Sequence, residues 1–272
     1  MVPKMIHYIW LGGDFSPELK KYMQTWDVLT TNGYEIKQWN ESNLPIDSAP
    51  DAIKEAIKVK KYAFAADYFR LKVLYEHGGI YLDTDVEVRK DFEPLLNTGL
   101  LLGFIFDASI GTAVIGAEKG NRLVKELMSF YDTAGYEYDD ACNSFVLRYE
   151  KFPEYRLVNN NDLFTAYFLN YVEGFKLNGK EQHIGDISIY PTDYFEGFTF
   201  DKNQDYTVHH CVGSWRSCDE KTNLKSVIRR MLKRVPMLSL IHISRDIKRR
   251  KDKNKHLPFS SEYLKQLDKG CK

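Results

Sequence analysis

The sequence predicts an α/β protein organised around a parallel sheet. Two features carry that prediction: an opening strand, glycine turn, helix and strand, and a later helix that stops at Gly78-Gly79 and returns at once as a short apolar strand. The chain of 272 residues suits one sizeable domain with an appendage.

Residues 5–11 are an apolar run closed by Gly12-Gly13, the pattern of a buried strand. Ser16-Pro17-Glu18 starts a helix with a capping hydroxyl, a proline in the first turn and an early acid, and that helix is expected to reach residue 29. Residues 34–39 alternate as a second strand. A short helix over 51–59 and a stronger one over 60–77 follow, ended by the glycine pair where a left-handed cap belongs. Strands are expected at 80–82, 86–88, 100–106, 112–117, 187–190 and 206–211. Helices are expected at 121–131 and 162–172. The body is expected to end near Asp219, giving one domain over 1–220 and a basic helical tail over 221–272.

Composition sets further bounds. A hydrophobic share of 43% is too high for disorder, and 14% aromatic residues supply flat rings for core or ligand alike. Net charge is zero, yet residues 221–272 hold 16 basic and 4 acidic side chains, so a tail of +12 follows a body of −12. The four cysteines, Cys142, Cys211, Cys218 and Cys271, form no close pair and read as reduced thiols. The first residues lack the pattern of a signal peptide, and no stretch reaches the roughly 18 apolar residues of a membrane span. A cytoplasmic protein is expected.

The chemistry concentrates between residues 65 and 85. Asp67 and Arg70 are three apart on a predicted helix and share a face. The chain then returns as a strand ending in Asp83-Thr84-Asp85. Open α/β sheets bind ligands beyond the carboxyl ends of their strands, so these acids and the Asp/Arg pair can form one polar site. Carboxylate oxygens hold a divalent cation, which can stabilise the charge growing on a diphosphate leaving group. Oxygen ligands select Mg²⁺ or Mn²⁺, and an added imidazole favours Mn²⁺. A bare acid-x-acid triplet is a weak signal; with Asp67, Arg70 and the glycine stop at these spacings it is a strong one.

The stretch AFAADYFRLKVLYEHGGIYLDTDVEV (63–88) resembles the donor-site segment of glycosyltransferase family 32, the DXD-containing sugar transferases, and is similar to the glucosyltransferase domains of large clostridial toxins. IHYIWLGG (6–13) looks like the first strand of those enzymes, and VHHCVGSW (208–215) like their closing segment. The resemblance covers about 1–220. It implies a GT-A, Rossmann-like nucleotide-sugar transferase fold and retention of anomeric configuration.

Site roles follow from the same resemblance. Trp10 matches the tryptophan that stacks on the donor base. Asp67 matches the acid that binds sugar hydroxyls, and Arg70 the arginine that contacts sugar and diphosphate. Tyr81 matches a tyrosine of the donor pocket. Asp83 resembles the acid that contacts ribose or sugar and reaches the metal through water, and Asp85 the direct metal ligand. His210-Cys211-Val212-Gly213 has the His-x-x-Gly spacing of the last metal ligand in related transferases. Adjacent strand residues face opposite ways, so His210 is preferred over His209. This departs from the toxins, which carry an acid and a serine here. Ser214 and Trp215 match the serine and tryptophan that close on the leaving phosphate. Asn161, Asp162 and Thr165 read as caps of the helix they open. His7 and His77 read as structural.

The expected activity is retaining transfer of a hexose from a nucleotide-sugar, a UDP-sugar by preference, onto a saccharide or lipid-linked saccharide acceptor, as in bacterial capsule or surface-polysaccharide synthesis. The alternatives are a metal-dependent phosphohydrolase, which would want a denser ligand cluster, and a catalytically inactive carbohydrate-binding protein, against which the intact acids and Arg70 argue. Residues 223–243 interleave an apolar helical face with arginines and lysines, the pattern of a surface anchor on anionic lipid at the inner face of the membrane or of a helix packed on the acidic body. Nothing in the body points to nucleic acid.

Overall fold

In the computed structural model, β1 (Met5–Ile9) and β2 (Glu35–Trp39) lie side by side and parallel, joined through helices α1 (Pro17–Gln24) and α2 (Asp27–Thr31). The structure describes residues 1–139, 144–148, 159–197, 204–212, 248 and 251–269. Ser16 caps α1 by accepting from the Leu19 N–H, with Pro17 in the first turn. The single helix expected to residue 29 is two short ones. Its break sits where the Thr25 hydroxyl donates to the Tyr22 carbonyl and accepts from the Val88 N–H, while the Trp26 indole donates to the Val86 carbonyl. These bonds tie the break to β4 (Val86–Val88).

Helices α3 (Asp51–Lys58) and α4 (Tyr62–His77) follow, separated at Lys60, whose φ is 60°. Gly78 ends α4 at φ 68°, and Gly79, at φ 113°, starts β3 (Gly79–Leu82). A Cβ on Gly79 would lie 2.4 Å from the Met5 carbonyl oxygen, so both backbone conformation and space demand glycine there.

β5 (Leu100–Phe106) and β6 (Ser109–Ala117) form a long hairpin that inserts β6 antiparallel beside β3. Then come α5 (Arg122–Ser129), the paired β7 (Gly135–Asp139) and β8 (Ser144–Arg148), and α6 (Asn160–Tyr171). β9 (Gln182–Ile184) and β10 (Ile187–Tyr190) complete the main sheet. The short α7 (Thr192–Phe195), β11 (Thr207–His209) and α8 (Ser260–Lys269) follow. The seven-stranded sheet runs β2-β1-β3-β6-β5-β10-β9, and β11 pairs with β4 in a separate two-stranded sheet. Five of the seven strands run the same way; β6 and β9 run against them. The α/β class and the expected parallel sheet hold for five strands, and β6 runs against them because a two-residue turn between β5 and β6 can only return the chain antiparallel.

Strand alternation splits the core between the two faces of the sheet. Ile6, Ile80 and Leu82 pack on one side with Trp26, Leu29, Val86 and Val88; Tyr81 and Ile115 pack on the other with Phe69, Leu74, Leu127 and Phe164. Phe259 is fully buried within that second cluster. Nearby in the chain, Asn254 donates to the Asp107 carboxylate and accepts from the Ala108 N–H, at the turn between β5 and β6. The closing stretch 251–269 therefore packs on the body. Most of the remainder of the predicted tail, 221–247 and 249–250, lies outside the described residues. Among the described residues, no helix is long and apolar enough to cross a membrane.

Candidate active site

α4 and β3 meet at the carboxyl edge of the sheet, and their polar residues converge there. Arg70, 6% exposed, has Nη2 2.8 Å from Asp67 Oδ1 and 3.4 Å from Asp83 Oδ1. Its Nη1 donates to the Thr112 carbonyl at 2.7 Å, and its guanidinium carbon lies 4.5 Å from the Tyr81 ring centroid. The Tyr81 hydroxyl donates to Asp83 Oδ1 at 2.8 Å. Burial works against the Arg70 charge, but Asp83, Tyr81 and Asp67 together hold it protonated. Burial also raises the Asp67 carboxyl to about 7, with Arg70 opposing and Asp83 adding to the rise. A buried guanidinium shared by two carboxylates and a carbonyl is fixed in place, so the face it offers a ligand is set before any ligand arrives.

The second half of the site comes from β4 and β11. Asp85 Oδ2 accepts from the Val212 N–H at 2.8 Å, and the Asp85 carbonyl accepts from the His210 N–H. Asp85 Oδ1 is 3.5 Å from His209 Nε2, and His209 Nδ1 is 3.3 Å from Glu196 Oε2. Ligand atoms of Asp83, Asp85 and His209 all lie within 4.8 Å of one another. Burial disfavours charge on both partners. Even so, the bonds from His209 and Val212 hold the Asp85 carboxyl below its usual range, and Glu196 and Asp85 hold the His209 imidazole well above its own.

The histidine choice is corrected by this geometry. His209 faces the two acids; His210 points away, with Nε2 2.8 Å from Glu87 Oε2 and its ring stacked 3.9 Å from that of Tyr22. The preference for His210 rested on a spacing to Gly213, but the face is set by strand pairing. His209 sits opposite Val86 in β11, and Cys211 takes φ 49°, which turns the chain so that Val212 comes back to Asp85.

Trp10 follows β1, and since β1 lies beside β3, it opens at the same edge as Asp83. Its half-buried ring stacks on Phe15 with centroids 4.4 Å apart, and its indole N–H donates to the Gly13 carbonyl. Ser214 and Trp215 lie outside the described residues. The helix cap expected of Asn161, Asp162 and Thr165 is instead Asn159, which accepts from the Asp162 N–H. Asn161 and Thr165 are bound to β6: the Thr112 hydroxyl donates to Asn161 Oδ1, and the Ile110 N–H donates to the Thr165 hydroxyl. Thr112 thus links Arg70 to α6. Sequence reasoning missed Thr112, Glu196 and Glu87, because each acts through a partner distant in the chain.

Residues 16–100 match the family described as glycosyltransferase sugar-binding region containing DXD motif, and that match spans both Asp67–Arg70 and Asp83–Asp85. Over this segment the chain is similar to the DXD-containing glycosyltransferases. The chain is 36% identical over 115 residues to an uncharacterized glycosyltransferase of Acanthamoeba polyphaga mimivirus, covering 40% of this chain and 43% of that one. It is 27% identical over 130 residues to inositol phosphoceramide mannosyltransferase 3 of Schizosaccharomyces pombe, covering 47% and 36%. The chain therefore spans less than half the length of these two relatives. Among solved structures, PaToxG glycosyltransferase aligns with a TM-score of 0.43 and 16% identity, over 62% of this chain and 69% of that one. Asp83 and Asp85 lie within the matched segment, and His209, which meets them in space, lies beyond it.

Proposed function

We propose that the protein transfers a hexose from a nucleotide-sugar to a saccharide acceptor, with a divalent cation held by Asp83, Asp85 and His209. One observation carries the reading: the DXD acids, a buried arginine and a histidine from the far end of the body converge at one sheet edge. Two carboxylates and an imidazole are a donor set suited to Mn²⁺, with Mg²⁺ the second choice. When bound, the cation would neutralise charge on the diphosphate as the glycosidic bond breaks.

The chain's own residues do the rest. Arg70 presents a fixed positive charge to the departing phosphates or to a sugar hydroxyl. Asp67, anchored by Arg70, accepts from hydroxyls of the sugar. Tyr81 packs beneath the guanidinium and holds Asp83 through its hydroxyl, so Asp83 keeps one orientation. Trp10 offers its ring to the base, which favours a UDP-sugar; a mannose donor is the competing choice, as the fission-yeast relative is a mannosyltransferase. Retention of configuration is part of this proposal, and such a reaction needs no dedicated general base. The setting proposed is cytoplasmic surface-polysaccharide assembly on a lipid-linked acceptor, with the basic residues of 221–272 drawing the protein to an anionic membrane.

The test is donor turnover across a panel of nucleotide-sugars, with Mn²⁺ and with chelator. Turnover of one donor that needs the cation and is lost in Asp85→Asn is expected. Undiminished turnover in chelator would remove the metal from the mechanism. Phosphate release from simple phosphoesters, without sugar transfer, would replace the reading with hydrolysis.

A further inference from the structure

We infer that Glu196, His209 and Cys211 form a second cation site, selective for a thiophilic divalent ion such as Zn²⁺, that shares His209 with the Asp83–Asp85 cluster. The three side chains offer one oxygen, one nitrogen and one sulfur, all within 4.8 Å of one another. His209 Nδ1 lies 3.3 Å from Glu196 Oε2 and 3.6 Å from Cys211 Sγ. Tetrahedral zinc, with bonds of about 2.0 Å to nitrogen and oxygen and about 2.3 Å to sulfur, needs ligand edges of about 3.3 Å and about 3.6 Å. The two spacings from His209 Nδ1 match those edges, and the third, from Glu196 to Cys211, is within 4.8 Å.

The local fold explains why the three meet. Glu196, 4% exposed, ends α7 with its carboxylate directed at His209. Cys211 is exposed, and its φ of 49° turns the thiol back across the ring two residues earlier. The exposed side leaves a fourth position for water, and an entry path. Thiolate separates this set from the oxygen-rich cluster opposite, since sulfur favours zinc over manganese or magnesium.

His209 belongs to both sets through different nitrogens: Nε2 faces Asp85 and Nδ1 faces Glu196 and Cys211. A neutral imidazole has one lone pair, so it serves one cation at a time. Occupancy of the thiolate set therefore weakens the other, and the effect is reciprocal. This last consequence rests on the proposed function; the site itself does not.

The experiment titrates the full-length, metal-free protein with Cd²⁺ and reads the thiolate-to-cadmium charge-transfer band. One saturable equivalent is expected in the wild type and in Asp85→Asn. The band should vanish in Cys211→Ser, a change at an exposed position that thermal melting will show to be folded. It should need roughly tenfold or more Cd²⁺ in Glu196→Gln. No band in the wild type, an unchanged band in Cys211→Ser, or its loss in Asp85→Asn would each overturn the inference. A separate Mn²⁺ titration distinguishes the two claims: donor turnover indifferent to Mn²⁺ sinks the reading of the Asp83–Asp85 cluster while leaving the cadmium result standing.

Discussion

At the scale of single residues, His7 shows how a buried group can govern stability without touching the site. Its Nε2 donates to the Gly78 carbonyl at 2.7 Å, and its Nδ1 accepts from the Trp39 indole at 3.0 Å. Both partners suit the neutral ring, and a second proton would face the indole N–H. Burial is the main cause of a pKa lowered from 6.5 to about 4, against the Gly78 bond. The folded protein thus refuses a proton that the unfolded chain accepts below 6.5. The stabilisation is complete above that pH and is lost as pH falls toward 4, by about 3 kcal/mol. Denaturant unfolding at pH 7 and pH 4 should show a loss of that order in the wild type, reduced in His7→Gln; equal losses would assign the acid sensitivity elsewhere. Two further histidines test the corrected face. If the proposed Mn²⁺ site holds, His209→Ala should weaken Mn²⁺ binding by roughly tenfold or more, and His210→Ala should leave it nearly unchanged. Calorimetry with Mn²⁺ decides, and the opposite order would return the ligand to His210.

At the scale of elements, much was legible because local signals and tertiary demands agreed. Ser16-Pro17 starts a helix, Gly78-Gly79 ends one, and the apolar runs at 5–11 and 100–106 supply β1, as far as Ile9, and β5. Asp67, Arg70 and Asp83 came together as the helix–glycine–strand pattern implied, and Tyr81, singled out only by resemblance, lies against Arg70 and Asp83. What the sequence hid was long-range. The break at Thr25 depends on Val86 and Val88 from β4, and no local pattern marks it. The face of β11 depends on its pairing with β4, and Glu196 matters only because α7 lies beside that strand. Gly79 is where element geometry is least forgiving. Gly79→Ala would meet the Met5 carbonyl at 2.4 Å and force alanine to φ 113°. A loss of about 2–3 kcal/mol is expected, from backbone strain plus displacement of β1 from β3. A change within 0.5 kcal/mol in urea unfolding would show that the strand pair can yield.

At the scale of the whole molecule, the acidic body and its basic C-terminal region are not simply strung together. Phe259 is fully buried in the main core and Asn254 is 3% exposed. Phe259→Ala should cost about 3–5 kcal/mol, seen as a lower urea midpoint with little change in slope. A cost below about 1 kcal/mol would make the contact peripheral. The bond from Asn254 to Asp107 has a consequence in time. It joins residues 147 apart, and the turn it grips belongs to a hairpin able to form as soon as its two strands exist. On the ribosome, β5 and β6 are complete at residue 117, so their turn stays without Asn254, and the hollow that Phe259 fills stays open, while roughly half of the chain is made. Such an exposed apolar hollow is a place for chaperones to hold and for nascent chains to stick. The order of synthesis therefore leaves a window of vulnerability that closes only when the 251–269 stretch arrives.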